Sequence, residues 1–196
     1  TLAKMASGTD GNIISYDASG NPVAVATGND GQVLTSTGAG SPPAFETPVS
    51  ATNKPAFRAY ASGTQTASAG AKVKAELNTE TYDTDGCYNT SNYRFTPDVA
   101  GTYFFNWVAQ DNYTGSAATG VQIYIYKNGS QIAESVSNSR STESSGHYET
   151  HIISTTVAMN GSSDYIEFFL FYTGGSNFQW RNNSDRQFAE GYKLIT

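Results

Sequence analysis

The sequence has 196 residues, of which 38% are hydrophobic and 13% aromatic, enough to bury a substantial core in one domain with an appendage. Its formal net charge of -6, with no basic cluster, argues against nucleic acid and against an anionic membrane surface as partners, because both attract Lys and Arg. No apolar run is long enough for membrane insertion. The single Cys87 excludes a disulfide within the chain.

The first 50 residues contain an internal repeat, because residues 8–27 align without a gap on residues 28–47. The recurring residues are Gly8, Asp10, Gly11, Gly20, Pro22, Ala24 and Thr27, which return as Gly28, Asp30, Gly31, Gly40, Pro42, Ala44 and Thr47. The apolar pair Ile13-Ile14 of the first repeat corresponds to Val33-Leu34 of the second. One such unit is too small to fold alone, so residues 1–50 are predicted to be a fragment of a longer, repetitive stalk whose apolar residues other chains bury. A flexible linker is the alternative.

Residues 51–196 form the second predicted domain, which is all-β. Aromatic, Thr and Val residues are frequent, and no segment has the helical period. Asn128-Gly129 and Asn160-Gly161 predict tight hairpin turns. The predicted strands are 56–61, 72–77, 92–95, 102–110, 120–126, 131–137, 149–158, 164–172 and 188–195, and so many strands joined by short turns indicate a β-sandwich.

The most informative stretch places a glycine before a strand with aromatic residues at alternate positions: Phe95, Gly101, Tyr103, Phe105 and Trp107. Further apolar, acidic and aromatic positions precede it at fixed spacing: Leu77, Asp83 and Tyr88. The chain closes on Gly191-Tyr192-x-Leu. The combination resembles the globular heads of the complement C1q-like family, although Leu77 is not aromatic and Trp107 replaces a Phe or Tyr. The resemblance implies a ten-strand jelly roll like that of tumour necrosis factor, assembled as a three-fold homotrimer.

Two predicted strands are apolar on both faces. Phe104 and Val108 oppose the alternating aromatics of the first, while Phe169 and Phe171 oppose the apolar residues Ile166, Phe168 and Leu170 of the second. An antiparallel sheet normally turns one polar face to water. Such strands therefore suggest that one side packs within the subunit and the other against a neighbour, the alternative being a central strand covered by a loop.

Alternating strand directions place the short connections at one end of the sandwich and the long polar loops at the other. The loop after residue 173 is the richest, since Phe178, Trp180, Arg181 and Asn182 can stack on sugars or anchor a protein interface. Tyr113 in a neighbouring loop is a weaker candidate. These five residues form the predicted binding site, the alternative being that Phe178 and Trp180 fold back to cover the end of the sandwich.

The chain shows little sign of catalysis or of a cofactor. The carboxylates that a glycosidase pair could use are scattered: Glu134, Glu143, Glu149 and Glu167. Asp83-Thr84-Asp85-Gly86 is a fragment of calcium-loop chemistry and more typical of an ordinary turn. Some C1q-like heads hold calcium, and here Asp111 and Asp185 are the residues that could contribute oxygens.

The repeats ahead of this head also resemble tail-fibre proteins of bacteriophages, on residues 28–45. The combined hypothesis is a non-enzymatic, trimeric adhesion module, the receptor-binding tip of a tail fibre, in a virion or otherwise extracellular. Its partner would be a glycan or protein on the host cell surface. The alternatives are a structural head that only trimerises the fibre and a tail-spike enzyme that cleaves polysaccharide.

Overall fold

The computed structural model describes residues 8–48, 53–113, 118–138, 147–174 and 178–194. Contacts between residues divide the chain into two compact units, Thr1–Ala51 and Thr52–Thr196, called here the stalk unit and the head. The predicted domain boundary at residues 50 and 51 lies one residue from this division. Within the described ranges the structure contains no helix long and apolar enough to cross a membrane.

Each sequence repeat of the stalk unit folds as one antiparallel hairpin. The four strands are β1 (Ile13–Tyr16), β2 (Pro22–Val25), β3 (Val33–Thr35) and β4 (Ala44–Glu46), paired β1 with β2 and β3 with β4. Ile14 and Leu34, which are equivalent residues of the two repeats, are exposed in the single chain. Two short strands cannot cover both faces of a hairpin, so these apolar residues stay accessible.

The glycines that recur in the repeat occupy turns of the same conformation. Four of them have φ between 80° and 83°: Gly11, Gly20, Gly31 and Gly40. Residues with a Cβ rarely adopt this left-handed region, so the turn chemistry accounts for their recurrence. Equivalent backbone bonds close the first turn of each repeat, from Asn12 N to Thr9 O at 3.2 Å and from Gln32 N to Asn29 O at 3.1 Å.

The head is built from two antiparallel sheets of six strands each. Its strands are β5 (Ala56–Tyr60), β6 (Val73–Lys74), β7 (Thr79–Asp83), β8 (Tyr88–Asn89), β9 (Arg94–Phe95), β10 (Gly101–Tyr113), β11 (Ala118–Lys127), β12 (Ser130–Asn138), β13 (His147–Met159), β14 (Ile166–Gly174), β15 (Phe178–Trp180) and β16 (Gln187–Lys193). The first sheet has the order β13-β10-β16-β5-β7, with β15 also paired to β10. The second has the order β12-β11-β14-β9-β8, with β6 also paired to β14. The predicted all-β sandwich is confirmed.

Aromatic rings fill the space between the sheets. Phe57 of β5 stacks on Tyr88 and on Phe95, with ring centroids 4.9 and 4.6 Å apart. Phe95 in turn meets Tyr103 and Phe105 edge-on at 5.7 and 5.6 Å. Each such ring contributes about 1.5–3 kcal/mol by leaving water. The alternating aromatics of β10 therefore point into the core, as the sequence pattern predicts.

Trp107 continues this core toward the middle of the sandwich, where it packs on Phe168 of β14 with centroids 5.5 Å apart. Leu77, which stands where an aromatic residue is usual, is also fully buried. Cys87 is a buried free thiol, and burial raises its pKa to about 11. A protonated, buried thiol is a core residue rather than a nucleophile.

The head's connections separate into two ends, as strand alternation predicts. Gly101 pairs with Met159 at one end of the β10–β13 ladder and Tyr113 with His147 at the other. The short turns lie at the Gly101 end, where a Cβ on Gly161 would meet the backbone of Ala100 at 2.2 Å. The last strand returns to this end, since Leu194 N donates to Thr102 O at 2.8 Å. The head thus begins and ends at the short-turn end.

Gly191 allows β16 to pack closely against β10. A Cβ at this position would lie 2.5 Å from Cδ1 of Phe105 and 3.0 Å from the carbonyl oxygen of Phe104. Tyr192 beside it is half-buried and packs on Phe104 from the other side of the sheet, with centroids 5.4 Å apart. Gly191 therefore packs against β10 on the core side of the sheet, and Tyr192 packs against the same strand on the outer side.

Gly191→Ala is expected to destabilise the head by about 1–3 kcal/mol, because the added methyl overpacks the fully buried Phe105. Gly63→Ala is the control, since a Cβ at Gly63 would meet no atom within 4 Å. Urea unfolding followed by tryptophan fluorescence measures both. Equal stability of the two variants would contradict the close packing.

Candidate functional site

The long-loop end contains a strand, β15, where the sequence pattern predicts a loop. β15 pairs with the end of β10, with Trp180 opposite Asp111 and Phe178 opposite Tyr113. Phe178 stacks on Tyr172 with centroids 4.1 Å apart, and Trp180 meets Phe178 edge-on at 5.2 Å. Trp180 has no exposed surface, and Phe178 is buried too. Their prediction as binding residues is corrected: both close the core at this end, because pairing with β10 turns them inward.

Arg181 and Asn182 follow β15 and are half-buried. The Arg181 guanidinium lies over the ring of Tyr148, 4.4 Å from its centroid, and donates to the side chain of Gln110 at 2.9 Å. Asn182 donates to the carbonyl oxygen of Ser62 at 3.0 Å. These two residues remain predicted binding residues. The side chain of Tyr113, the fifth candidate, lies outside the described part of the structure.

Asp111 and Asp185, the two calcium candidates, are in different environments. Asp111 is fully buried and lies 2.9 Å from Nε2 of His151. Asp185 is exposed next to Arg186. Within the described residues, no three His, Cys, Asp or Glu side chains form a group that could hold a metal ion.

Asp83 serves as the turn residue that the sequence suggests. Its carboxylate accepts backbone N–H groups from Cys87 at 3.1 Å and from Tyr88 at 2.8 Å. This capping holds the chain between β7 and β8 and positions Tyr88 against Phe57 in the core. The acidic position in the sequence pattern is thus explained by turn geometry.

The outer face of the first sheet is crossed by one row of hydrogen-bonded polar side chains. Arg58 pairs with Glu190 at 2.5 Å, Asn106 donates to Glu190 at 3.1 Å, and Ser154 donates to Asn106 at 3.0 Å. Apolar rows flank it, one with Phe188, Val108 and Ile152, the other with Tyr192 and Phe104. This surface is called the ladder face. Three of its large side chains are strongly exposed: Tyr82 at 43%, Tyr148 at 51% and Ile152 at 58%.

The outer face of the second sheet has a different character and is called the aromatic face. Its residues are Gln122, Tyr124 and Tyr126 of β11, Glu167, Phe169 and Phe171 of β14, and the cations Lys72, Lys74 and Arg94. Tyr126 packs on Phe169 with centroids 4.5 Å apart. Local sequence patterns indicate Phe169 and Phe171 but not the cations, because Lys72 and Arg94 reach this face only through pairing between distant strands.

Glu167 is the buried carboxylate of the aromatic face, bonded to Lys74 at 2.5 Å and to Arg94 at 2.7 Å. Burial works to raise its pKa, but the hydrogen bonds from Lys74 and Arg94 outweigh burial and hold the pKa below its usual value. A glycosidase needs a carboxylic acid whose pKa is raised. Glu167 is the opposite case, and Glu143 lies outside the described residues.

The sequence matches no protein-family model and no curated protein. Solved structures nevertheless share the fold of the head. The globular domain of zebrafish complement 1qA matches with a TM-score of 0.52 and 15% identity, covering 72% of this chain and 98% of that one. Eiger TNF from S. frugiperda matches with a TM-score of 0.50 and 13% identity, covering 71% of this chain and 91% of that one. Murine APRIL matches with a TM-score of 0.52 and 7% identity, covering 71% of this chain and 98% of that one. The head therefore has the jelly-roll fold of C1q and TNF domains.

Trp180→Ala is expected to destabilise the head by about 3–5 kcal/mol, because it opens a cavity among fully packed rings. Gln179→Ala, in the same strand but exposed, is the matched control and should stay within about 0.5 kcal/mol of the parent. Denaturant unfolding measures both changes. A Trp180 variant as stable as the parent would restore a binding role to this side chain.

Glu167→Gln is expected to flatten the acid dependence of stability. Because its folded pKa is lowered, the ionised carboxylate stabilises the fold above its usual pKa of 4.5, and this contribution is lost as the pH falls through the folded pKa. Unfolding free energies measured between about pH 7 and about pH 3 should therefore fall less in the variant than in the parent. Glu76→Gln, at an exposed position, should leave the slope unchanged.

Proposed function

We propose that this chain is a non-enzymatic, homotrimeric adhesion module that forms the distal tip of a bacteriophage tail fibre. Its place would be the virion, and its target a glycan or protein on the host cell surface. The C1q and TNF jelly roll supports a trimer, because the resemblance to C1q-like heads implies a three-fold assembly. The observation that carries the proposal is the ladder face.

The ladder face has the properties of a contact between copies of this chain. Tyr148 and Ile152, four residues apart on the same face of β13, expose large side chains at the edge of the first sheet. On this face Arg58 and Glu190 neutralise each other, and the Arg181 guanidinium is held over the ring of Tyr148 by a hydrogen bond to Gln110. An exposed apolar patch with polar groups that are internally satisfied is suited to burial against another protein surface.

The stalk unit supports a fibrous role. Its two repeats close their first turns with equivalent backbone bonds and place glycines of the same φ at equivalent positions, so the register of the sequence corresponds to a structural period. Ile14 and Leu34, exposed in one chain, offer equivalent apolar contacts to neighbouring chains at each period. Three chains bundled in this way would bury side chains that a single flexible linker has no reason to preserve.

The geometry of the head supports an attachment role at the long-loop end. The head begins and ends at the opposite end, where Lys193 N donates to Pro55 O at 3.1 Å. Arg181 and Asn182 lie at the long-loop end, on the chain that follows β15. Three such ends in one rigid trimer would convert weak individual contacts into strong attachment by avidity.

Ile152→Asp is expected to dissociate the trimer while leaving the monomer folded. The side chain is 58% exposed in one chain, so Asp costs the monomer little, whereas an unpaired charge inside a contact opposes assembly. Ile132→Asp, 40% exposed on the second sheet, is the matched control and should remain trimeric. Light scattering and circular dichroism measure mass and folding. A monomeric parent, or dissociation only by the Ile132 variant, would contradict the proposal.

Attachment is tested by binding the labelled chain to intact cells of candidate bacterial hosts. Saturable binding that unlabelled chain displaces, and that falls with Ile152→Asp, is expected because avidity requires the trimer. A stable trimer that binds none of the hosts would favour the structural connector. Release of reducing ends from envelope polysaccharide would instead establish an enzyme.

A further inference from the structure

The aromatic face combines ring surfaces with positive charge in a way that the ladder face does not. Tyr124 stands opposite Phe169 and Gln122 opposite Phe171 in the β11–β14 ladder. Phe169 and Phe171 are half-buried, so part of each ring faces outward. The two aromatic residues lie two positions apart on one strand, which makes a shallow, elongated platform rather than a deep pocket.

Three cations of the aromatic face come from chain segments beside β14. Lys72, Lys74 and Arg94 are three of the chain's 11 basic residues, in a chain whose net charge is -6. Lys74 and Arg94 share the carboxylate of Glu167. A positive edge in an acidic chain is a local departure that favours an anionic partner.

Lys72 is the cation of this edge that is placed to bind a ligand. Its side chain is exposed, and its Nζ lies 3.7 Å from the ring centroid of Tyr124 and 2.6 Å from the Tyr126 hydroxyl. The amide of Gln131 is a further neighbour at 3.4 Å. Among the described residues Lys72 forms no ion pair, since Glu134, which lies opposite Tyr124 on the same face, accepts instead from the amide of Gln131 at 2.9 Å. The ammonium is therefore held in position over the rings with its charge available.

The aromatic face is a poor contact between copies of the chain. In a closed three-fold assembly only one of the two outer faces can turn toward the axis. Among the described residues of the head, Ile152 and Tyr148 of the ladder face are the two most exposed large apolar side chains, and Arg58 and Glu190 on the same face form an ion pair. On the proposed trimer, the aromatic face therefore looks outward on all three subunits. This step rests on the proposed function.

We propose that the aromatic face binds an acidic polysaccharide, with sugar rings against Phe169 and Phe171 and a sugar carboxylate at the Lys72 ammonium. Aromatic side chains offer an apolar surface to the C–H face of a sugar. Gln122 and the Tyr126 hydroxyl supply neutral hydrogen-bonding groups of the kind that sugar hydroxyls need. An open, elongated surface suits a polymer, which also spans the three equivalent faces of one trimer.

The first experiment measures binding of the full chain to immobilised polygalacturonate, with neutral dextran, dextran sulfate and polyglutamate as competitors. The proposal expects saturable binding to polygalacturonate that dextran and polyglutamate do not displace. Displacement by dextran sulfate alone would assign the site to sulfated sugars and overturn the carboxylate. Equal displacement by polyglutamate would overturn the sugar and indicate an acidic peptide or a general polyanion.

The second experiment compares two charge reversals of the same size. Lys72→Glu should weaken polygalacturonate binding by at least about tenfold, because it replaces an ion pair with repulsion. Lys54→Glu, also exposed but outside the aromatic face, is the matched control and should change it by less than about twofold. Equal effects of the two variants would overturn the proposal.

Phe169→Leu removes the ring while keeping an apolar side chain, and it should weaken binding without the charge change. Thermal unfolding of each variant separates loss of binding from loss of fold. A trimer that attaches to cells, yet binds polygalacturonate no better than dextran, would overturn this inference and leave the proposed function standing. Loss of both trimer and attachment would instead defeat the proposed function.

Discussion

Packing of aromatic rings between two sheets is the interaction on which the head depends. Phe57 and Phe95 stack at the centre, and Tyr103 and Phe105 reach Phe95 from one long strand. Trp107 of the same strand packs on Phe168, which also contacts Phe57. No disulfide within the chain is possible, since Cys87 is the only cysteine of the sequence. The large area that each ring removes from water therefore provides most of the stabilisation that a small β-sandwich needs against its conformational entropy.

A core of this kind leaves each sheet with an outer face whose chemistry is free to differ. On the first sheet, Arg58, Glu190, Asn106 and Ser154 satisfy one another in a row, so burying that face leaves few polar groups without partners. On the second, Lys72 is exposed and forms no ion pair among the described residues. One face is thus suited to a copy of the chain and the other to an anionic ligand. The different roles that we propose for the two faces, assembly and ligand binding, follow from this difference in chemistry.

The parts of the structure that the sequence predicts are those that a local, periodic pattern of residues determines. Alternation in Tyr103, Phe105 and Trp107 predicts a strand and its buried side, and Asn128-Gly129 predicts a turn, which both prove correct. Phe178 and Trp180 show the same alternation, but three residues between polar loops are too few to distinguish a strand from a binding loop. Only the pairing of residues 178–180 with β10 shows that this segment is a strand. Lys72 could not be placed at all, because its neighbours on β11 are 52 and 54 residues away, and no local pattern records that distance.

The recurring turn glycines of the stalk unit also have a consequence for how such a chain can evolve. Because each of the two described repeats pairs its own two strands, inserting or removing a whole unit would preserve the strand pairing within the other units. The length of the stalk can then change in steps of one repeat, without a change in the jelly roll. A substitution at Gly31 would instead damage one increment alone, leaving a single irregular hairpin among regular ones.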